Sequence, residues 1–262
     1  MVGTLGDLGW TKLSFDEEVR RWALHAWQLG QKAMQAPDLA HWWACENTWF
    51  VGVDALPNDA SGSFAQGPRF PISLQDSVTR NFGPMPDLHP AQLSVVCPGY
   101  PKPRDGETPA AFRFRQTRDA AHVDGLHRGD DGGRRVEEPH AWIMGIPLTH
   151  NTKEQAPLVV WEGSHMILGR VFRAALQKHP EKCWNSVDLK DVYLTARKQI
   201  FETCQRVPVL AQPGEAVLLH RQTLHGVATW EPGVGESPSE HRAIAYLRPC
   251  LAEGVSAWAM PN

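Results

Sequence analysis

Residues 213–226 read PGEAVLLHRQTLHG, a turn followed by an apolar run and then by a histidine placed before a glycine. The Pro-Gly pair marks a turn, and the apolar run that follows has the length and composition of a short strand. Similar short runs, separated by turn residues, cover residues 92–97, 141–148, 158–161, 207–211, 216–220, 225–229 and 243–247. Many short strands without alternating helices favour a barrel or sandwich over a parallel βαβ sheet.

Helical patterns flank and interrupt these strands. Residues 14–36 carry a capping-box pattern at Ser14 and Glu17 followed by apolar residues at helical spacing, which predicts a helix packed outside the sheet. Residues 188–205 have helical composition and are expected to lie outside the barrel. A short strand is expected at 49–53, and the Gly/Pro/Ser-punctuated stretch 57–90 has little periodicity and reads as substrate loops or plain connection.

The 262 residues are expected to form one domain, mainly β with flanking helices. Residues 1–90 would form an N-terminal helical and loop layer packed on the barrel. Residues 91–249 would form the barrel core, with a helical insert at about 188–206, and residues 250–262 a C-terminal tail.

Composition excludes several classes of protein. The chain is 42% hydrophobic and 21% charged, with a net charge of -3, so nothing favours binding to a nucleic acid backbone. No apolar window is long enough to span a membrane, and the start of the sequence lacks the layout of a signal peptide, which predicts a cytoplasmic protein. The five cysteines form no Cys-x-x-Cys pair and are expected to be reduced, mostly buried thiols. The oligomeric state cannot be predicted from the sequence.

His122 and Asp124 are the first candidate metal ligands. On an extended strand, residues two apart share one face, so both side chains could reach one ion. The pair alone is weak, because about 0.6 such His-x-Asp pairs are expected by chance in a chain of this composition. His225 or His220, in the 213–226 stretch, could supply a third ligand.

Two histidines and one carboxylate form the triad that binds non-haem Fe(II) and leaves three coordination positions open for a bidentate oxoacid and O₂. Zinc would usually be satisfied at four ligands, and calcium or magnesium would need more oxygen donors. An oxoacid that chelates the metal at one end and carries a second carboxylate at its other end needs a cation to bind that second carboxylate. Arg242, which begins the strand after His225, is the candidate. Alternation places Arg242 and Tyr246 on one face, expected to be the barrel interior, although a surface arginine at a strand start is the plain alternative.

The order of these motifs resembles the phytanoyl-CoA dioxygenase-like family of Fe(II)- and 2-oxoglutarate-dependent oxygenases, over about residues 91–249. The resemblance rests on the following elements in order: His122-x-Asp124, a strand with Trp142, the segment APLVVWEGSH at 156–165, the turn PGE at 213–215, His225-Gly226, and Arg242. It implies a double-stranded β-helix, or jelly roll, with His122, Asp124 and His225 in one sheet and Arg242 facing them from the other. It also favours His225 over His220 as the ligand.

The resemblance further implies the cofactors and the reaction: Fe(II) and 2-oxoglutarate, with O₂ as co-substrate, used to hydroxylate a small-molecule substrate with release of succinate and CO₂. Arg242 and Trp142 would belong to the cofactor-binding residues. Where the family often has a serine two residues after the distal histidine, this chain has Val227, so Arg242 would need help from Tyr246 or Thr229. Residues 231–239 lengthen the next connection and are expected to form an extended hairpin loop.

Other polar residues have plainer interpretations. His165 is expected to fix a turn by hydrogen bonding, and His127, His140 and His150 are expected in loops near the mouth of the site. The run of Arg113, Arg115 and Arg118 is expected either at a solvated strand edge or with one member pointing inward to bind an acidic substrate. Two alternative functions remain open: a non-redox zinc enzyme on the same barrel, and a catalytically silent jelly roll that binds a metabolite or a partner protein.

Overall fold

The computed structural model describes residues 4–231 and 240–260, so most of the extended loop predicted at 231–239 lies outside the described residues. The strands in these ranges are β1 Trp10–Leu13, β2 Trp43–Ala44, β3 Trp49–Phe50, β4 Gln92–Val96, β5 Leu126–Arg128, β6 Arg134–Val136, β7 Trp142–Pro147, β8 Leu158–Trp161, β9 Arg206–Val209, β10 Ala216–His220, β11 His225–Val227 and β12 Arg242–Leu247. The helices are α1 Leu5–Leu8, α2 Glu17–Ala33, α3 Ile72–Phe82, α4 Pro109–Thr117, α5 Ser164–Leu176, α6 Lys190–Thr203 and α7 Val255–Ala259.

The strands form a large sheet in the order β1-β10-β7-β12-β4-β3-β2, a small sheet in the order β11-β8-β9, and the separate hairpin β5-β6. The named strand pairs are antiparallel, in agreement with the predicted barrel or sandwich rather than a parallel βαβ sheet. Helices hold more residues than strands in the described ranges, so the chain is mixed rather than mainly β as predicted. From β7 onward the chain passes repeatedly from one sheet to the other. Strands β7, β10 and β12 belong to the large sheet, and β8, β9 and β11 belong to the small one.

The two sheets face each other across an apolar core. Val217 and Leu219 of β10, with Ile143 of β7, pack in one cluster with Leu158 and Val160 of β8. Alternate residues of the large sheet therefore point toward the small sheet, as the period of two in a strand requires. The residues between them point the opposite way, toward the helices.

The predicted closed barrel is not formed, because no strand ladder joins the two sheets within the described ranges. The segment expected to extend the small sheet makes only one isolated bridge, between His122 and His225. Asp119 and Ala120 have φ of 52° and 53°, and Gly125 has φ of 76°. A chain cannot remain an extended strand through left-handed residues, so the small sheet stops there.

Helix α2 covers the outer face of the large sheet, and the predicted N-terminal helix is confirmed with shifted ends. Its residues Val19, Trp22, Ala23 and Ala26 are buried in the cluster that covers this face. The helix is capped by the side chain of Asp16, which accepts a hydrogen bond from the Glu18 backbone. The predicted cap at Ser14 is therefore wrong by two residues.

Three helices lie where loops, turns or strands were expected. Helix α3 lies inside the stretch 57–90, and α5 begins at Ser164 in a segment expected to be a turn. Helix α4 contains the arginine run that was expected at a strand edge. The helix predicted at 188–205 is confirmed as α6. Helix α5 buries Leu168, Phe172 and Leu176, a spacing of four that does signal a helix in the sequence.

The five cysteines are free, but Cys45 alone is buried and Cys250 is exposed, so the expectation of mostly buried thiols is wrong. Among the helices of the described ranges, none combines the length and the apolar character needed to cross a bilayer.

Candidate metal centre

His122, Asp124 and His225 come together in a cluster that we call the His-Asp-His cluster. One candidate ligand atom from each side chain lies within 4.8 Å of the other two. His122 Nε2 is 3.1 Å from Asp124 Oδ1, and His225 Nε2 is 3.7 Å from the same oxygen. Within the described part of the chain, no other group of three or more His, Cys, Asp or Glu side chains has this arrangement.

Backbone pairing between residues 119–122 and β11 positions the two histidines. The His122 amide donates to the His225 carbonyl at 2.8 Å, and the His225 amide donates back at 3.1 Å. The Val227 amide donates to the Asp119 carbonyl at 2.8 Å, directly over Gly226. A Cβ at Gly226 would lie 2.1 Å from that carbonyl oxygen, so only glycine permits this crossing. The glycine after His225 is therefore required by the way the histidines pair.

A turn brings Asp124 back toward the imidazoles, although the sequence had suggested an extended strand. Gly125 has φ of +76°, and a Cβ there would lie 1.9 Å from the Glu138 carbonyl oxygen. The amides of Glu137 and Glu138 both donate to the Gly125 carbonyl, which anchors the turn to the chain before β7. The convergence of the two side chains was predicted, but the local geometry that produces it was not.

Hydrogen bonds orient both imidazole rings. His122 Nδ1 lies 2.9 Å from the Ala120 carbonyl, and His225 Nδ1 lies 2.9 Å from the Thr223 carbonyl. Because a carbonyl oxygen only accepts, each Nδ1 carries the proton, and in the neutral ring each Nε2 presents a lone pair to the cluster. This is the usual arrangement of histidines that ligate a metal.

Asp124 sets the electrostatics of the cluster. Burial would raise the pKa of Asp124, but the hydrogen bond from His122, the charge of His225 when that ring is protonated, and the charge of Arg248 hold it well below its usual range. Burial would lower the pKa of His122, but the hydrogen bond to Asp124 outweighs this effect and raises it. Burial lowers the pKa of His225 to about 4, against the opposing charge of Asp124. His225 is therefore neutral at physiological pH.

Arg248 is a member of the site that the sequence analysis missed. Its Nη1 lies 3.3 Å from Asp124 Oδ2, which leaves Oδ1 facing the two imidazoles. The sequence did indicate that Arg248 faces the site, because Arg248 lies two residues after Tyr246 and so continues the alternation of Arg242, Ile244 and Tyr246.

The cluster opens into a cavity of about 610 Å³ between the two sheets, which we call the metal-centre cavity. Its walls are largely apolar and aromatic and include Trp42, Trp49, Leu158, Val227 and Tyr246. This volume lies within the range typical of small-molecule sites.

Arg242 lies on the inner face of β12, behind Tyr246. Its side chain is buried, and its Nη2 donates to the Tyr246 hydroxyl at 3.3 Å. Its Nε and Nη1 are also buried and have no hydrogen-bond partner. A buried guanidinium with unused donors is costly unless an anion binds there. Of the two predicted helpers, Tyr246 contacts the arginine, and no hydrogen bond joins Thr229 to Arg242 in the described residues. Val227, in place of the family's serine, adds only an apolar surface to the metal-centre cavity.

Trp142 is the predicted cofactor-binding residue that the structure does not bring to the site. It is fully buried in the cluster between the large sheet and the helices, together with Met144 and Leu218. The adjacent residue of β7, Ile143, is the one that faces the small sheet. Trp142 therefore points away from the metal-centre cavity.

The remaining histidines lie elsewhere. His220 packs against His165, with ring centroids 5.0 Å apart and the ring planes tilted by 50°. Burial, followed by the charge of Arg221, lowers the pKa of His220 to about 3. His165, at the start of α5, donates through Nε2 to the Gly6 carbonyl at 3.0 Å. His127 is exposed on β5 at the rim of the metal-centre cavity, and His150 is exposed and contacts Gln212.

His140 corrects the expectation of a loop residue at the mouth, because it is buried beside Cys250. Burial would lower the pKa of His140, but the contact with Cys250 and the Glu138 carboxylate 3.6 Å from its Nε2 outweigh this effect and raise the pKa to about 9.

The arginine run lies on α4 rather than on a strand edge. Arg113 is exposed, and Arg118 stacks on the Phe201 ring at 4.8 Å. Arg115 points inward, but its Nε donates to Glu107 at 3.2 Å, so its charge is already paired.

No protein-family profile and no curated protein matches the chain. Among solved structures it is similar to EvdMO1, with 14% identity and a TM-score of 0.45 over 95% of this chain. The chain spans 48% of the length of EvdMO1. It is also similar to the non-heme alpha ketoglutarate dependent carbocyclase SnoK from nogalamycin biosynthesis, with 13% identity and a TM-score of 0.48 over 98% of this chain and 89% of that one.

A further similar structure is AviO1 from Streptomyces viridochromogenes Tue57, with 13% identity and a TM-score of 0.47 over 95% of this chain and 92% of that one. All three likenesses are distant. Membership of the phytanoyl-CoA dioxygenase-like family therefore stays a prediction from the sequence motifs.

Proposed function

We propose that this protein is an Fe(II)- and 2-oxoglutarate-dependent oxygenase that hydroxylates a small-molecule substrate. The observation that carries the proposal is the combination of two features in the space between the sheets. The His-Asp-His cluster offers three metal ligands, and the buried guanidinium of Arg242 offers two unused donors to an anion.

The donor set fits ferrous iron. Two imidazole nitrogens and one carboxylate oxygen can occupy one face of an octahedral ion and leave the opposite face open for other ligands. The ring orientations support this role, since both Nε2 atoms point into the cluster while both Nδ1 atoms are held by backbone carbonyls. Arg248 would hold the second oxygen of Asp124 and so keep the first directed at the metal.

Arg242 fits the far carboxylate of 2-oxoglutarate. A planar guanidinium can donate two parallel hydrogen bonds to one carboxylate, and Arg242 has two donors available for such a contact. The hydroxyl of Tyr246, which already contacts Arg242 and lines the metal-centre cavity, would orient this pair. When iron, 2-oxoglutarate and O₂ are bound, they would supply oxidative decarboxylation coupled to hydroxylation of a C–H bond, with release of succinate and CO₂.

The protein's own residues would position the reactants and exclude water. The apolar walls at Trp42, Trp49 and Leu158 would hold the substrate close to the cluster in a partly dry space. His122 would give up its proton as the metal binds, and Asp124 would stay ionised because its pKa is lowered.

The strand order supports the predicted double-stranded β-helix, which we include in the proposal. In such a fold the chain passes repeatedly between two facing sheets, as it does here from β7 to β12, with β8 and β9 as neighbours in the small sheet. The strand that this fold would place before β5, at the edge of the small sheet, is reduced here to the single bridge between His122 and His225.

A zinc hydrolase or lyase is the second candidate, because catalytic zinc also accepts three protein ligands and a water. That enzyme would have no need of a buried arginine with unused donors. A silent binding protein would in turn have no need of the metal ligands.

The test is succinate release from 2-oxoglutarate by the Fe(II)-loaded protein in air, compared with the Zn(II)-loaded protein and with Asp124→Ala. We expect slow succinate formation with iron even without added substrate, and none with zinc or in the variant. The zinc enzyme would replace the oxygenase proposal if the Zn(II)-loaded protein hydrolysed a test substrate while neither the Zn(II)-loaded nor the Fe(II)-loaded protein consumed 2-oxoglutarate.

A further inference from the structure

A second cavity of about 540 Å³ adjoins the metal-centre cavity, and we call it the arginine cavity. Trp49 and His122 line both spaces. The side chain of His122 is 45% exposed, so its ring forms part of the wall between the cavities rather than being enclosed in the core. A molecule in the arginine cavity would therefore lie directly beside one of the candidate metal ligands.

The lining of this cavity has an excess of positive charge. It contains four guanidinium groups, of Arg104, Arg115, Arg134 and Arg197, and one carboxylate, that of Glu107. Glu107 pairs with Arg115. The other three arginines form no ion pair with any carboxylate in the ranges 4–231 and 240–260. Like charges gathered without counterions repel one another, and a bound anion would remove that repulsion.

Aromatic rings hold the unpaired arginines in place. Arg197 stacks on Phe114 at 4.4 Å and on Tyr193 at 5.1 Å, and Arg134 stacks on the same tyrosine at 5.3 Å. Arg104 stacks on Trp49 at 5.0 Å. A guanidinium that packs over an aromatic ring can still donate from the N–H groups at its edge to a carboxylate or phosphate.

Arg134 is partly buried, as Arg197 is, whereas Arg104 is exposed. Arg134 Nη1 also donates to the Leu126 carbonyl at 3.3 Å, which fixes the side chain. Burial lowers the pKa of Arg134, and the positive charges of Arg197 and Arg128 act in the same direction. Tyr193 opposes these effects, and no carboxylate in the described ranges forms an ion pair with Arg134, so an anion bound there would be its first ion-pair partner.

We propose that the arginine cavity binds the anionic group of the substrate, a carboxylate or a phosphate held by Arg134 and Arg197. The uncharged part of the substrate would pass Trp49 and reach the side of the cluster at His122. This inference rests on the proposed oxygenase function and adds the class of substrate, an organic acid or phosphate ester. It also separates two anion sites, since Arg242 lies behind Tyr246 and does not line the arginine cavity.

The binding test uses the metal-free protein without 2-oxoglutarate, so that its result does not depend on the proposed function. The probes are carboxylic acids paired with their primary amides, and phosphate monoesters paired with their parent alcohols. Thermal unfolding is measured with each probe for wild type, Arg197→Gln, Arg134→Gln and Arg197→Lys. Arg113→Gln is the matched control, because Arg113 is exposed on α4 and does not line the cavity.

We expect acids or phosphates to raise the Tm of wild type and of Arg113→Gln, while their neutral counterparts do not. Binding should weaken about tenfold or more in Arg197→Gln and Arg134→Gln, as expected for loss of a charge-assisted hydrogen bond. Arg197→Lys should recover only part of this loss, because lysine keeps the charge but cannot donate two parallel hydrogen bonds to one anion. A response to acids alone would identify an organic acid, and a response to phosphates alone a phosphate ester. Equal shifts by neutral and charged probes, or no shift by any anion, would overturn the proposal.

The same panel is then added to the protein loaded with Fe(II) and 2-oxoglutarate, and succinate release is measured in air. Probes that bind wild type should accelerate succinate release in wild type and in Arg113→Gln, and this acceleration should disappear in Arg197→Gln. Anion binding without any succinate release would contradict the oxygenase proposal but would still support the anion site. Succinate release that neutral probes stimulate as strongly as their acids would contradict the anion site alone.

Discussion

Asp124 organises the His-Asp-His cluster before any metal is bound. It pairs with His122 through Oδ1 and with Arg248 through Oδ2, and its charge opposes the effect of burial on His225. The two histidines therefore differ in their protonation, although both are candidate ligands of the same ion. His122 has a raised pKa, whereas the pKa of His225 is about 4.

We expect metal affinity to depend on pH through His122 alone. Below its raised pKa, His122 is protonated in the metal-free protein, so a metal ion must displace one proton, while His225 is already neutral. The logarithm of the affinity for Co(II) should rise by about one unit per pH unit below that pKa and level off above it. Competition titrations from about pH 5 to about pH 8 would measure this slope. A slope near two, or none, would contradict the assignment.

Arg242 should control the affinity for 2-oxoglutarate without controlling metal binding. Replacing Arg242 with Gln removes the charge and the pair of parallel hydrogen-bond donors. We therefore expect the 2-oxoglutarate concentration needed for half-saturation to rise about tenfold to a hundredfold. Arg242→Lys should fall between wild type and Gln because it keeps the charge. Metal affinity, measured in parallel, should be unchanged in both variants. Unaltered 2-oxoglutarate affinity in Arg242→Gln would remove the arginine from the site.

Alternation along β12 shows how far single residues could be predicted. It placed Arg242 and Tyr246 on the inner face from sequence alone, and it would also have placed Arg248 there. It could not place Trp142, which was assigned from the resemblance. The side of the sheet that Trp142 faces depends on where α2 packs, and no local pattern in β7 encodes that.

At the scale of elements, the short strands were predictable because each is an apolar run between turn residues. Strand β8 begins and ends as predicted, and α6 lies within its predicted segment. Helix α4 was not predicted, because its arginines and short length hide any apolar periodicity. Its start is fixed instead by Thr108, whose side chain accepts from the Ala111 amide.

The crossing of residues 119–122 over β11 makes Gly226 the most sensitive position in that element. In Gly226→Ala the new methyl group would overlap the Asp119 carbonyl and push His122 away from His225. We expect about 2 kcal/mol or more of lost stability and metal binding weakened about tenfold or more. Chemical denaturation and metal titration would measure the two effects. Gly6→Ala is the control, since its new Cβ would meet nothing closer than 3.6 Å and should change neither quantity.

At the scale of the whole molecule, the two facing sheets supply different residues of the site. The small sheet and the segment paired with it carry His122 and His225, while the large sheet carries Arg242 and Tyr246. The order of motifs along the chain was sufficient to predict this division through the resemblance. It did not predict that the sheets stay open, because Asp119 gives only a weak signal for positive φ and Ala120 gives none.

Because the ligands come from distant parts of the chain, a metal that binds only the folded protein should stabilise the whole fold. With metal at about 100 times its dissociation constant, the gain is about 2.7 kcal/mol, or roughly 5 to 10 °C in Tm. Scanning calorimetry with Co(II) or with a chelator would measure it. The gain should vanish in His225→Ala and persist in His220→Gln, because His220 lies outside the cluster. Loss of the gain in His220→Gln instead would show that the wrong histidine has been assigned.

The central claim is that one iron and one 2-oxoglutarate bind together at the His-Asp-His cluster. The most direct measurement is an anaerobic titration of the metal-free protein with Fe(II) and then 2-oxoglutarate, following the visible metal-to-ligand charge-transfer band. The band should appear in wild type only after both additions and should be absent in His225→Ala and Asp124→Ala. Wild-type protein that binds Fe(II) but develops no band with 2-oxoglutarate would contradict the oxygenase and favour a non-redox metalloprotein.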